Sequence, residues 1–107
     1  MVRQFDVYRN TSAKSRQLWP YYLILQNDFY DELVTRLIVP LARRKDMPLG
    51  DSRIAPLVHI EDLECYLFMP NMTYLDVRKL QRTDFVCNVS DARSKIVAAL
   101  DAIFLNM

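Results

Sequence analysis

One stretch of this chain carries a sustained helical period, and it comes last. Residues 89–107 read VSDARSKIVAALDAIFLNM, with Ile96, Ala99, Leu100, Ile103, Phe104 and Met107 recurring at helical spacing. Ser90 is placed to cap the helix, and Asp91 falls where a helix dipole favours an acid. No Gly or Pro follows Leu105 to stop it. Such an apolar helix end is expected either to be buried or to be offered to a partner. Whatever precedes it has to supply a surface for its apolar face.

What precedes it is a series of short strand-like runs. Residues 4–8 alternate, and residues 21–26 are aromatic and aliphatic between Pro20 and Asn27. Residues 36–41 (RLIVPL) form a third run, whose Pro40 predicts a strand end, an edge or a bulge. Residues 57–60 and 65–69 predict two strands joined through Glu61, Asp62, Leu63 and Glu64, and residues 73–77 predict a sixth. Residues 10–16 read as a polar loop and residues 42–54 as a long exposed one, while residues 78–88 read as a mixed connection. Strands first and one helix last predict an antiparallel sheet or small barrel packed by a terminal helix, in a single domain spanning 1–107.

Composition removes several functions. The chain has one glycine in 107 residues, Gly50, so neither a P-loop nor a dinucleotide-binding turn can be built. Its turns are expected to rest on Asn, Asp, Ser and Pro. A net charge of +1 sets up no strong field toward nucleic acid or membrane. Apolar runs are too short to span a bilayer, and the first ten residues lack an apolar signal core, which predicts a cytoplasmic protein. Cys65 and Cys87 are then expected as free thiols.

No constellation points to catalysis. His59, the only histidine, sits in an apolar run and reads as a structural residue more than as a partner for Cys65 or Cys87. Glu61, Asp62 and Glu64 flank a turn and read as a solvated tip more than as an acid pair. Arg43, Arg44 and Lys45 stand beside Asp46 and Asp51, so a solvated loop comes first and a partner-binding loop second. Met69, Met72 and Met107 suit gap filling first and an adaptable binding surface second. Trp19 is either core or an exposed anchor. No metal site, catalytic residue or cofactor is expected.

Taken in order, QFDVY, LILQNDFYDE, RLIVPL, PLVHI, an apolar strand ending in FM, MTYLDV and IVAALDAIFLNM resemble the CcdB toxins of toxin–antitoxin modules, over nearly the whole chain. The resemblance implies a mainly β fold with α, an SH3-like small antiparallel barrel or sheet with a C-terminal helix. It implies a homodimer that poisons DNA gyrase by binding the GyrA subunit and trapping the cleaved-DNA complex, without enzymatic activity or a small-molecule substrate. It implies a CcdA-like antitoxin that neutralises the toxin, helps it repress the operon, and alone touches operator DNA. The family's gyrase-binding positions fall on Phe29, Tyr30, Asp101, Phe104, Leu105, Asn106 and Met107. Arg43, Arg44 and Lys45 are the candidate antitoxin contacts. The family's usual Trp-Gly-Ile ending falls on Leu105, Asn106 and Met107, which keep none of those residues. The alternatives on the same fold are a MazF-like messenger-RNA endoribonuclease and a relative that binds antitoxin without poisoning gyrase. Dimerisation through an apolar sheet face that includes Met69 and Met72 is a further expectation.

Overall fold

The computed structural model describes residues 2–30, 32–47 and 52–105. Among the described residues seven strands form one antiparallel sheet: β1 (Asp6–Arg9), β2 (Tyr21–Ile24), β3 (Thr35–Arg43), β4 (Leu57–Ile60), β5 (Leu63–Leu67), β6 (Thr73–Asp76) and β7 (Phe85–Asn88). Their order across the sheet is β4-β5-β3-β2-β1-β7, with β6 also pairing with β3. An α-helix, α1 (Arg93–Phe104), follows β7.

The long strand β3 organises the sheet. Its first half pairs with β6 from Thr35 to Ile38, and its last part pairs with β5 from Leu41 to Arg43. Pro40 falls between the two. Its carbonyl accepts from the Phe68 N–H at 3.0 Å, so the donor that proline lacks would point into the gap between partner strands. Pro40 is therefore interior to the strand, and the ladder loses nothing there. The same pairing corrects the expected loop at 42–54. Ala42 and Arg43 belong to β3, opposite Tyr66 and Cys65.

Two further elements differ from expectation. Strand β7 lies inside the stretch read as a connection; it pairs with β1 through a register shift between Val7 and Tyr8, which breaks the simple alternation. Ser90 does not cap α1. Residues Ser90–Ala92 form a 3₁₀ turn, the helix N-cap is Ala92, and no side chain bonds the first helical N–H groups. Asn88 Oδ1 accepts from the Ser90 N–H at 3.0 Å, which starts the turn instead. Asp91 consequently precedes the helix rather than standing in its first turn.

The core lies between the sheet and α1. Val7, Leu23, Val39, Leu41, Ile60, Cys65, Leu67 and Met69 pack with Ile96 and Ala99 of the helix. Met69 is completely buried there, so it cannot lie on a dimer face. A smaller cluster on the opposite face holds Tyr8, Ile24 and Ile38, flanked by Tyr22, Leu75 and Leu80. Burial pushes the Tyr22 hydroxyl up to about 12 and the Cys65 thiol up to about 11, so both stay neutral. Both cysteines are free thiols.

With so little glycine, left-handed backbone falls on unusual residues. Phe5 has φ 71° and Glu61 has φ 56°. A non-glycine residue there costs on the order of 1–3 kcal/mol, so the surroundings must hold it. Phe5 is held by bonds from its N–H to Ile24 and from the Val89 N–H to its carbonyl. Glu61, in the turn between β4 and β5, accepts both terminal nitrogens of Arg9 at 3.1 and 2.9 Å and the Tyr21 hydroxyl at 2.8 Å. These bonds hold the Glu61 carboxyl below its usual range. The contact curls the sheet, because it brings the tip of the β4–β5 hairpin to the ends of β1 and β2.

Candidate partner-binding surface

The helix sorts its apolar residues by position. Ile96 and Ala99 are buried, and Leu100 and Ile103 pack partly against the core. Val97, Asp101, Phe104 and Leu105 fall on the other side, with Asp101 four residues after Val97 and three and four residues before Phe104 and Leu105. Val97 is 42 % exposed, Phe104 67 % and Leu105 62 %, and Asp101 is exposed between them. Leu105 stays tied to the helix through its N–H to the Asp101 carbonyl at 2.8 Å. The tip is thus an ordered apolar surface around one carboxylate. Asn106 and Met107 lie outside the described residues.

Phe29 stands on a short 3₁₀ turn, Asp28–Tyr30, after β2. Two side chains fix that turn. Asn27 Oδ1 accepts from the Phe29 N–H at 2.8 Å, and Asp28 Oδ1 accepts from the Gln4 N–H at 2.7 Å. The ring they present is 80 % exposed. The Tyr30 side chain lies outside the description.

Sequence reasoning missed the apolar residues that follow. On β3 the expected alternation is inverted: Arg36 is buried and Leu37 is exposed. The Arg36 guanidinium donates to the Leu33 and Thr35 carbonyls, which takes it inward. Leu37 then lies directly opposite Tyr74 of β6, itself exposed, with Leu33 and Val34 exposed nearby in sequence. A charge turned in and a leucine turned out was the available signal, but the run RLIVPL hides it.

The candidate antitoxin contacts form the end of β3 and the turn after it. Arg43 is half-buried, and Arg44 and Lys45 are exposed on the 3₁₀ turn Arg44–Asp46. Arg43 reaches Asp46 at 3.6 Å and Arg44 reaches Glu64 at 3.2 Å. They line a hollow of about 460 Å³ together with His59, Asp62, Leu63 and Glu64.

His59 is exposed, not buried as its apolar run suggested, because it alternates outward between Val58 and Ile60. It pairs across the ladder with Glu64, while Cys65 points into the core opposite Val58. A His59–Cys65 nucleophile pair is therefore excluded. The three turn acids separate as well: Glu61 binds Arg9 and Glu64 binds Arg44. Among the described residues, no group of His, Cys, Asp and Glu could hold a metal ion. Trp19 is half-buried, its ring 5.7 Å from that of Phe68. No described helix is long and apolar enough to cross a membrane.

A curled sheet closed by one helix with an apolar tip is the architecture expected of the resemblance. The family model of the CcdB protein matches residues 4–105. The chain belongs to the CcdB family. Membership makes it a toxin of a toxin–antitoxin module. No curated protein matches the chain significantly. The α1 tip and Phe29, two of the contacts expected from the resemblance, are both exposed.

Proposed function

We propose that this CcdB chain acts without enzymatic activity, binding the GyrA subunit of DNA gyrase and trapping the enzyme on cleaved DNA. The observation that carries the reading is the ordered, exposed stripe of Val97, Asp101, Phe104 and Leu105. An apolar surface left open around a single carboxylate suits a protein partner. Phe29 and Tyr30 supply a second contact, and Asn106 and Met107 extend the first. The target arginine that an aromatic tip would stack on meets Phe104 rather than a tryptophan. Leu37 and Tyr74 offer an apolar face for a second copy, consistent with a homodimer. A CcdA-like antitoxin engages Arg43, Arg44 and Lys45, neutralises the toxin, and carries the pair to operator DNA. The setting is cytoplasmic.

Purified protein added to gyrase and relaxed plasmid is expected to inhibit supercoiling and accumulate linear, cleaved DNA. Expression in cells is expected to cause DNA damage and death, and removal of residues 105–107 to prevent both. Survival of expressing cells with gyrase unaffected would overturn the reading. Clean cleavage of RNA by the purified protein would place it with the MazF-like ribonucleases instead.

A further inference from the structure

The face of the sheet turned away from α1 carries a hollow of its own. Alternation along β1 sends Val7 into the core under the helix and Asp6 and Tyr8 to the other side. The register shift between Val7 and Tyr8 then sets Phe85 of β7 directly opposite Tyr8 and skips Val86. The two rings meet edge to face, with 5.7 Å between centroids. Arg3 precedes β1, and Arg82 and Thr83 lie on the 3₁₀ turn Arg82–Asp84 that leads into β7. These six residues line a hollow of about 460 Å³, within the roughly 300–1,000 Å³ of small-molecule sites.

Its polar groups are unevenly satisfied. The Asp6 carboxylate is buried, and its two oxygens accept from the Arg3 N–H and the Asn88 amide, each at 2.9 Å. Tyr8 is only 5 % exposed, yet among the described residues its hydroxyl has no hydrogen-bond partner. A buried tyrosine usually finds one. No fully enclosed side-chain oxygen among the described residues lacks a partner, so this hydroxyl opens to the hollow that Tyr8 lines. Burial pushes its pKa up, with Asp6 and Arg82 both close enough to act on it, so it stays a neutral donor. The Arg3 and Arg82 guanidiniums are exposed, and among the described residues they make no hydrogen bond or ion pair.

Two free guanidiniums, each a planar fork of donors, fit the oxygens of a doubly charged anion such as a phosphate monoester. The half-open Phe85 ring offers a stacking surface to a flat group attached to that anion. Asp6 keeps spare lone pairs, and Tyr8 and Thr83 add hydroxyls, which suits a hydroxylated link between anion and ring. A long nucleic acid would find no continuing row of cations, because the chain carries only +1 overall and Asp84 follows in the same turn as Arg82. We propose that this hollow binds a nucleoside monophosphate, with Arg3 and Arg82 on the phosphate, Phe85 on the base and the Tyr8 hydroxyl donating to the ligand. Side-chain cations replace the glycine-rich loop that a chain with one glycine lacks. The site stands apart from the α1 tip and from Arg43, Arg44 and Lys45.

The probe is adenosine 5′-monophosphate (AMP), titrated into the full-length protein by isothermal calorimetry, with inorganic phosphate and adenosine in parallel. AMP is expected to bind at least about tenfold more tightly than either part alone. Arg3→Ala and Arg82→Ala should each weaken AMP about tenfold, through loss of a charge-assisted contact. Phe85→Ala should weaken AMP about fivefold or more and leave inorganic phosphate unchanged. Tyr8→Phe, which keeps the ring, should weaken AMP about threefold. Lys14→Ala, exposed and outside the hollow, should change it less than about twofold. Thermal melts confirm that each variant is folded, and AMP should raise the melting temperature of the wild type but not of the Arg3→Ala/Arg82→Ala double variant. Folded wild-type protein that binds no AMP up to about 5 mM would overturn the site. So would AMP binding that Arg3→Ala and Arg82→Ala leave unchanged. Inorganic phosphate binding as tightly as AMP would overturn the nucleoside as part of the ligand. A single-stranded oligoadenylate binding far more tightly than AMP would overturn the small molecule as occupant.

Discussion

The two ends of α1 are built from the same kind of residue and meet different fates. Around Ile96 and Ala99 the helix is sealed against Val7, Leu41, Leu67 and Met69. Around Phe104 and Leu105 comparable apolar side chains face outward, held in place by the helix but covered by nothing described. The sealed end obtains its stability from burial, roughly 1.5–3 kcal/mol for each large side chain removed from water. The open end forgoes that gain. A surface that stays apolar at such a cost, on a rigid element, is what a protein interface needs before its partner arrives. Affinity and stability are therefore expected to respond to different residues of one twelve-residue helix.

The largest effect expected from this contrast is on the sealed side. Ile96→Ala should lower unfolding free energy by about 2–5 kcal/mol in chemical denaturation, through lost transfer energy and the cavity left behind. Phe104→Ala should leave stability within about 0.5 kcal/mol. It should nevertheless weaken gyrase inhibition about thirtyfold or more, as expected for losing an interface anchor worth about 2 kcal/mol. If Phe104→Ala unfolds the protein as Ile96→Ala does, the contrast between the two ends collapses. The comparison sharpens with Leu105→Trp, which restores a ring at the tip. That change should strengthen binding to GyrA by up to about tenfold, measured by titration against the isolated subunit.

The smallest effects concern pH. The Arg78 side chain and N–H hold the Asp76 carboxyl down at about 2, and its ordinary value is 3.8. A carboxyl lowered on folding contributes stability that is complete above its unfolded value and fades as pH falls toward its folded value. The contribution of Asp76 should thus be full above about pH 4 and lost by about pH 2. Glu61 is shifted in the same direction by Arg9 and Tyr21. Asp76→Asn and Glu61→Gln should each flatten the acid limb of the melting-temperature profile, by lowering stability at neutral pH where each carboxylate's contribution is full. In Glu61→Gln, Arg9 also loses its partner while residue 61 keeps its left-handed backbone.

Much of the fold was legible because local and global signals agree in it. The runs at 21–26, 36–41, 57–60 and 73–77 combine strand-forming residues with clear boundaries, and each holds a strand. The terminal helix was legible from its period, down to the inward placement of Ile96 and Ala99. The misses have physical causes. Strand β7 is four residues long, half-open on both faces and shifted in register, so it lacks the alternation that a strand usually shows. Pro40 looked like a terminator because the sequence does not reveal that β3 changes partner beside it. His59 looked buried because its neighbours are, although alternation turns it outward. The left-handed positions fell on Phe5 and Glu61 because tertiary hydrogen bonds, not turn propensity, hold them. The α1 tip was legible as a binding candidate, whereas Leu37 and Tyr74 were not, because their exposure follows from the inward turn of Arg36.

Purified gyrase, relaxed plasmid and increasing amounts of this protein test the central claim most directly. The account predicts loss of supercoiling with accumulation of cleaved DNA, and a loss of both effects in folded Phe104→Ala. Folded wild-type protein that leaves supercoiling and cleavage unchanged at large excess would contradict it.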